Sequence, residues 1–178
     1  MKKIVILGAG TAGTMMANHL NHELDKETWE IDIIDHRQEH YYQPGYLFLP
    51  FDIYEPEDII KPIQDFIPKG VNLVNEKAEK ILAAEKKVIM QNGDEIAYDI
   101  LIIATGCNIA PEEVEGMNGK EWRNSVFDFY TFEGSLALRD KLRNWEGGKL
   151  VVHITEMPIK CPVAPLEFSF LADSYFKN

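Results

Sequence analysis

The fold of this chain is decided by the stretch Ile4-Val5-Ile6-Leu7-Gly8-Ala9-Gly10-Thr11-Ala12-Gly13, followed by Ile31-Asp32-Ile33-Ile34-Asp35. An apolar strand runs into a glycine-rich turn that opens a helix, and a second apolar strand ends in an acid. Gly8 suits the tight turn, Gly10 lets the backbone approach a pyrophosphate, and Gly13 lets the helix pack closely on the sheet. The stretch therefore predicts a dinucleotide-binding unit, with a plain glycine turn as the alternative.

Two further features suit the same ligand. The start of the helix offers free N–H groups and the positive end of its dipole to phosphate groups. Asp35 lies at the tip of the second strand, where a carboxylate can accept hydrogen bonds from ribose hydroxyls.

Composition narrows the class of protein. Of the 178 residues, 18 are basic and 29 are acidic, for a formal charge of −11, so nucleic acid is an improbable partner. A hydrophobic fraction of 46% is enough for a buried core. Met1-Lys2-Lys3 leads directly into the first strand without a signal-peptide pattern, and the chain has two cysteines, which together favour a cytoplasmic location.

The rest of the chain alternates between the two periodicities. We predict helices over 11–24, 56–66, 131–145 and 165–176, a loop over 36–52, parallel strands over 71–74, 100–104 and 149–154, and an antiparallel meander of strands over 78–82, 87–90 and 95–98. This predicts an α/β fold in which a Rossmann-like parallel sheet carries a small antiparallel meander. We place a first dinucleotide-binding domain at 1–115 and the start of a second one, incomplete within this chain, at 116–178.

The chain resembles the pyridine nucleotide-disulfide oxidoreductase superfamily of flavoproteins. Its glycine fingerprint, Asp35 and Ala104-Thr105-Gly106 are similar to the N-terminal marks of that superfamily. Two segments, His40-Tyr41-Tyr42-Gln43-Pro44-Gly45 and Pro158-Ile159-Lys160-Cys161-Pro162-Val163-Ala164-Pro165, resemble those of sulfide:quinone oxidoreductases, especially the mitochondrial group. The likeness extends over the whole chain but corresponds only to the N-terminal part of such an enzyme.

The resemblance implies FAD as the cofactor and assigns residues to its parts. The pyrophosphate falls to Gly8, Gly10, Thr11, Ala12 and Gly13, and the ribose to Asp35. The adenine falls to Ala78, the flavin side to Ala104, Thr105 and Gly106, and the isoalloxazine to Gln43 and Pro44.

Cys161 is the principal catalytic candidate. It precedes a predicted helix and follows Lys160, surroundings that favour a thiolate. A thiolate can attack a sulfur held by another cysteine, and a cysteine held in such a disulfide can take up sulfide as a persulfide while its partner leaves as a thiolate. The resemblance implies a second cysteine outside this chain, a position that Cys107 does not match. Glu167 is a candidate for proton movement, with a solvated acid in the first helical turn as the alternative. We predict no metal site, because His36, Glu39 and His40 lack a further ligand at suitable spacing.

The resemblance, together with Cys161, implies an FAD-dependent oxidoreductase that takes electrons from sulfide and passes them to a quinone. An NADH:quinone reductase of the same fold, which needs no Cys161, is one alternative, and a dinucleotide-binding module without turnover is another. By the resemblance, peripheral membrane contact would come from C-terminal segments outside this chain. A homo-oligomer is also compatible with the sequence.

Overall fold

A computed structural model of the chain describes residues 1–177. In chain order its strands and α-helices are β1 (Lys2–Leu7), α1 (Thr11–Glu23), β2 (Trp29–Ile34), β3 (Glu39–Tyr41), β4 (Ile60–Pro62), β5 (Val71–Val74), β6 (Ala78–Leu82), β7 (Lys87–Met90), β8 (Glu95–Ala97), β9 (Ile100–Ile103), α2 (Phe132–Arg143) and α3 (Ala164–Lys177).

The central element is a parallel sheet in the order β5-β2-β1-β9. β1 and β2 lie in the middle and are rich in β-branched residues, as strands covered on both faces usually are. The register aligns Leu7 with Ile34 and with Ile103, so the three strands end at one edge. Ligands of open α/β sheets bind at that carboxyl edge.

Each face of the parallel sheet has its own apolar core. Ile4, Ile6, Ile31 and Ile33 are buried on one face together with Ala17 of α1. On the other face Val5, Leu7 and Ile34 are buried against Val88 and Met90 of the antiparallel sheet β6-β7-β8. This confirms the predicted α/β class, with a parallel sheet and a small antiparallel meander.

The chain forms two compact units, of which the first comprises residues 1–41 and 60–108. The second combines residues 42–59 with the described residues from Ile109 onward. Its core includes Phe51 from the first segment, Leu138 and Leu142 of α2, and Phe168 of α3. The rings of Phe51 and Phe168 lie 5.1 Å apart, within the range of favourable aromatic contacts.

The predicted helix over 56–66 is wrong. The structure has 3-10 turns over Pro56–Asp58 and Ile63–Phe66, with the short strand β4 between them. Pro62 explains the difference, because proline has no N–H for an α-helical hydrogen bond and its ring clashes with the preceding turn. The predicted loop over 36–52 is more ordered than expected, because it contains β3 and 3-10 turns over Gln43–Leu47 and Leu49–Phe51.

The strand predicted over 149–154 is also absent from the part of the chain that the structure describes. This apolar segment has no regular secondary structure, and Val151 is 69% exposed. A strand requires a neighbour that takes up its backbone hydrogen bonds, and no described segment pairs with this one. A second dinucleotide-binding domain over 116–178 therefore stays a prediction. Within residues 1–177 no helix combines the length and apolar character needed to cross a membrane.

Candidate functional site

The turn between β1 and α1 has the close packing that its glycines predict. Gly8 has a φ of +97°, which side chains rarely adopt, and an added Cβ would lie 2.5 Å from the carbonyl oxygen of Ala104. An added Cβ on Gly13 would lie 1.8 Å from the carbonyl oxygen of Gly8. Both positions are therefore restricted to glycine by neighbouring backbone atoms.

Gly10 differs from the other two glycines. An added Cβ there would meet no protein atom within 4 Å among the described residues. Packing does not require a glycine at this position, and the space beside its Cα is open to a ligand. Gly10 is the N-cap of α1, and Thr11 and Ala12 are exposed in the first turn. The arrangement suits a pyrophosphate, which takes up N–H groups at a helix N-terminus.

Asp35 follows β2 and is 5% exposed, and both oxygens of its carboxylate accept hydrogen bonds. Oδ2 accepts hydrogen bonds from the Ala9 N–H at 2.8 Å and from Arg37 Nη2 at 3.0 Å. Oδ1 accepts from the Arg37 backbone N–H at 3.0 Å and from Arg37 Nε at 3.1 Å. Burial raises the pKa of Asp35, but the bonds from Arg37 and Ala9 outweigh it, so the pKa lies below its ordinary value.

Ala104 lies beside the glycine turn, where its N–H donates to the Leu7 carbonyl oxygen at 2.7 Å. Thr105 and Gly106 follow it and are exposed at the carboxyl edge of the sheet. Ala78 lies at the start of β6 and packs on the core that contains Val5 and Leu7. The first unit thus contains the residues predicted for the pyrophosphate, the ribose and the adenine, and Ala104 lies directly beside Gly8.

Two segments resemble sulfide:quinone oxidoreductases in sequence, and the second unit contains residues 42–45 of the first and all of the second, residues 158–165. Gln43 and Pro44 are exposed at the start of a 3-10 turn, and Gln43 Oε1 accepts a hydrogen bond from Lys160 Nζ. These two residues are 117 positions apart in sequence. The contact joins the Gln43 segment to the residue that precedes Cys161.

Cys161 is exposed and has a φ of 55°, a left-handed conformation that is uncommon for residues with a side chain. Its carbonyl oxygen accepts hydrogen bonds from Tyr130 Oη at 3.2 Å and from the Ala164 N–H at 3.1 Å. Burial, and secondarily the nearby Cys161, raises the pKa of Tyr130, so the phenol stays neutral and able to donate. Glu167 is exposed in the first turn of α3.

Three features of these sites lie beyond the sequence-based prediction. Arg37 contacts Asp35, and its position two residues after the acid is a signal that could have been noticed. Tyr130 contacts Cys161 and carries no recognisable motif. An ion-pair cluster also holds residues 52–55 on α2, and it depends on tertiary contacts alone. Within residues 1–177 no three His, Cys, Asp or Glu side chains are grouped so that they could hold a metal ion.

Comparison with known proteins supports the interpretation of the fold. The profile of the family described as "Pyridine nucleotide-disulphide oxidoreductase" matches residues 2–152. The chain is 29% identical over 177 residues to the mitochondrial sulfide:quinone oxidoreductase of Dictyostelium discoideum, covering 99% of this chain and 39% of that protein. It is 30% identical to the type II NADH:quinone oxidoreductase of Staphylococcus haemolyticus, over 83% of this chain and 37% of that protein.

A solved structure is similar as well. The X-ray structure of the sulfide:quinone oxidoreductase from Aquifex aeolicus matches with a TM-score of 0.63 and 29% identity, covering 80% of this chain and 32% of that one. This chain therefore spans about two-fifths or less of the length of these relatives. The family and these structural neighbours are FAD-binding flavoproteins, and FAD is the cofactor of this chain.

Proposed function

The chain belongs to the pyridine nucleotide-disulphide oxidoreductase family, and from this premise we propose that it forms the FAD-binding part of a sulfide:quinone oxidoreductase. The observation that carries the proposal is the contact of Lys160 with Gln43. It brings together two distant segments, and both resemble sulfide:quinone oxidoreductases in sequence.

The first unit would bind the dinucleotide. The N-terminus of α1 and the space above Gly10 fit a pyrophosphate, and Asp35 fits the ribose. Ala78 is proposed to approach the adenine, and Ala104, Thr105 and Gly106 the flavin side. When bound, FAD would supply two-electron redox chemistry between the sulfur substrate and a quinone.

The second unit would supply the sulfur chemistry. We propose that Cys161 forms a disulfide with a second cysteine from a part of the protein outside this chain. Hydrosulfide forms a sulfur–sulfur bond to Cys161 Sγ, the disulfide breaks, and the second cysteine leaves as a thiolate. Glu167 is proposed to move protons in this cycle, and Gln43 and Pro44 would lie along the isoalloxazine, as the resemblance implies.

A type II NADH:quinone oxidoreductase is the second candidate, because the Staphylococcus haemolyticus relative is as similar in identity. That similarity covers 83% of the chain, against 99% for the Dictyostelium discoideum protein. We therefore place sulfide before NADH as the electron donor. The proposed setting is the cytoplasm, with quinone reached through segments outside this chain.

The test is anaerobic reduction of the flavin by sulfide or by NADH in the full-length natural protein. We expect sulfide to be the faster donor, and Cys161→Ser to lose sulfide-driven reduction because an alcohol forms no persulfide. The matched control is Cys107→Ser, which removes the other exposed thiol and should keep most of the rate. Wild-type rates in Cys161→Ser, or a faster reaction with NADH, would favour the second candidate.

A further inference from the structure

The hydrogen bonds of Asp35 leave no vacant acceptor position on its carboxylate. Each carboxylate oxygen has two lone pairs, and each accepts one backbone N–H and one bond from the Arg37 guanidinium. The two backbone bonds belong to the fold, since they come from the glycine turn and from the segment after β2. The two guanidinium bonds come from a side chain that can rotate away.

We propose that Arg37 determines how tightly the adenosine end of the dinucleotide binds, because its guanidinium competes with the ribose hydroxyls for Asp35. Ribose binding is then an exchange of partners at one carboxylate. The backbone bonds from Ala9 and Arg37 keep the carboxylate in place during the exchange. This inference rests on the proposed role of Asp35 at the ribose and is independent of the sulfide chemistry.

The Arg37–Asp35 pair has the properties of an exchangeable contact. The Arg37 side chain is 44% exposed, whereas that of Asp35 is 3% exposed, so the arginine can be rehydrated at low cost while the acid cannot. A cavity of about 340 Å³ adjoins Arg37 and is lined by Arg37, Gln38, Glu39 and Tyr41, so this arginine borders open space as well as Asp35. A buried carboxylate that loses one donor pair needs another, and a ribose diol supplies one.

Competition for Asp35 predicts that removing Arg37 changes the affinity for the ligand in the direction opposite to that expected from simple electrostatics. Removing a cation near an anionic ligand normally weakens binding, because the long-range attraction falls. If Arg37 competes for Asp35, its removal strengthens binding instead, by the free energy of one half-exposed ion pair. That corresponds to roughly a two- to fivefold gain in affinity.

The experiment measures the dissociation constant of ADP, which has the ribose and pyrophosphate without the flavin, by calorimetry on the 178-residue chain. We expect Arg37→Gln to bind ADP more tightly than wild type does. Arg37→Lys, which lacks the bidentate guanidinium, should show part of this gain in affinity. With 2′,3′-dideoxy-ADP, which has no ribose hydroxyls, Arg37→Gln should show no gain. In an Asp35→Asn background, which binds ADP more weakly, Arg37→Gln should add nothing.

Weaker or unchanged ADP binding by Arg37→Gln would overturn the proposal and indicate that Arg37 attracts the ligand directly. An equal gain for ADP and for the dideoxy analogue would also overturn it, since hydroxyls would then play no part. Wild-type affinity in Asp35→Asn alone would instead remove Asp35 from the ribose site, and with it the basis of the inference. Failure of the sulfide assay would leave all these expectations unchanged.

Discussion

Gly13 and Gly10 lie three positions apart in one turn, yet their replacement by alanine should damage different properties of the protein. A Cβ on Gly13 would lie 1.8 Å from the Gly8 carbonyl oxygen, roughly 1.6 Å short of ordinary contact. The two clashing atoms are the carbonyl oxygen and carbonyl carbon of Gly8, which belong to the backbone, so the turn after β1 and helix α1 must move apart. A Cβ on Gly10 meets no described protein atom within 4 Å and leaves the packing unchanged.

The magnitudes follow from these distances. Overpacking at a rigid site costs about 1–3 kcal/mol, occasionally more, and Gly13→Ala belongs at the upper end because backbone cannot rotate away. Alanine regains about 0.5–1 kcal/mol of helix propensity, so we expect a net loss of about 2 kcal/mol. For Gly10→Ala we expect a change of at most about 1 kcal/mol, the scale of an N-cap substitution. FAD affinity should instead fall at least about tenfold, because the methyl group enters the space left for the pyrophosphate.

The assay is urea unfolding of the chain without added flavin, followed by titration of each folded variant with FAD. Only the pair of results separates the two roles: Gly13→Ala loses stability, while Gly10→Ala keeps stability and loses FAD. Wild-type stability in Gly13→Ala would contradict the packing argument. Wild-type FAD affinity in Gly10→Ala would contradict the placement of the pyrophosphate.

Two further predictions concern the ion pairs of the second unit. Arg139, with a side chain 5% exposed, bonds Asp52 and both oxygens of Glu55, whereas Arg143, 45% exposed, bonds Asp52 alone. Arg139→Gln should therefore lower the free energy of unfolding by about 1–3 kcal/mol, a range reduced from that of a fully buried ion pair because both carboxylates are partly hydrated. The control Arg143→Gln should lower it by at most about 1 kcal/mol. Equal losses of stability in urea unfolding would contradict this difference. Burial raises the pKa of Asp52, but the hydrogen bonds from Arg143 and Arg139 outweigh burial, so the pKa lies below its ordinary value. The stabilisation by the Asp52 carboxylate is therefore complete above the ordinary aspartate pKa of about 4, and it is lost as the pH falls through the lowered pKa. The stability difference between wild type and Arg139→Gln should accordingly narrow in acid, and a difference that widens on acidification would rule out an ion pair as its source.

The sequence predicted the elements whose causes are local. β1, α1 and β2 follow from apolar periodicity and the glycine turn, and the meander follows from short strands divided by polar breaks. The wrong prediction of a helix over 56–66 also has a local cause, because Pro62 lies within that range. The missing strand over 149–154 had a different cause, since strand formation depends on a neighbour that no local pattern reveals.

The same division applies to the candidate site. The glycines and Asp35 could be identified from spacing, because the shape of a dinucleotide fixes where those residues must stand. The contacts of Arg37 with Asp35, Lys160 with Gln43, and Tyr130 with Cys161 depend on side-chain directions that sequence spacing does not determine. Only the structure revealed that the Asp35 carboxylate already has a full set of donors.

The most direct test of the central claim is mass spectrometry of the cysteine-containing peptides after the full-length natural protein reacts with sulfide in the absence of quinone. We expect one extra sulfur atom on the Cys161 peptide, none on the Cys107 peptide, and loss of the signal in Cys161→Ser. Flavin reduced by sulfide with no sulfur added to Cys161 at any time in the reaction would contradict the persulfide at Cys161.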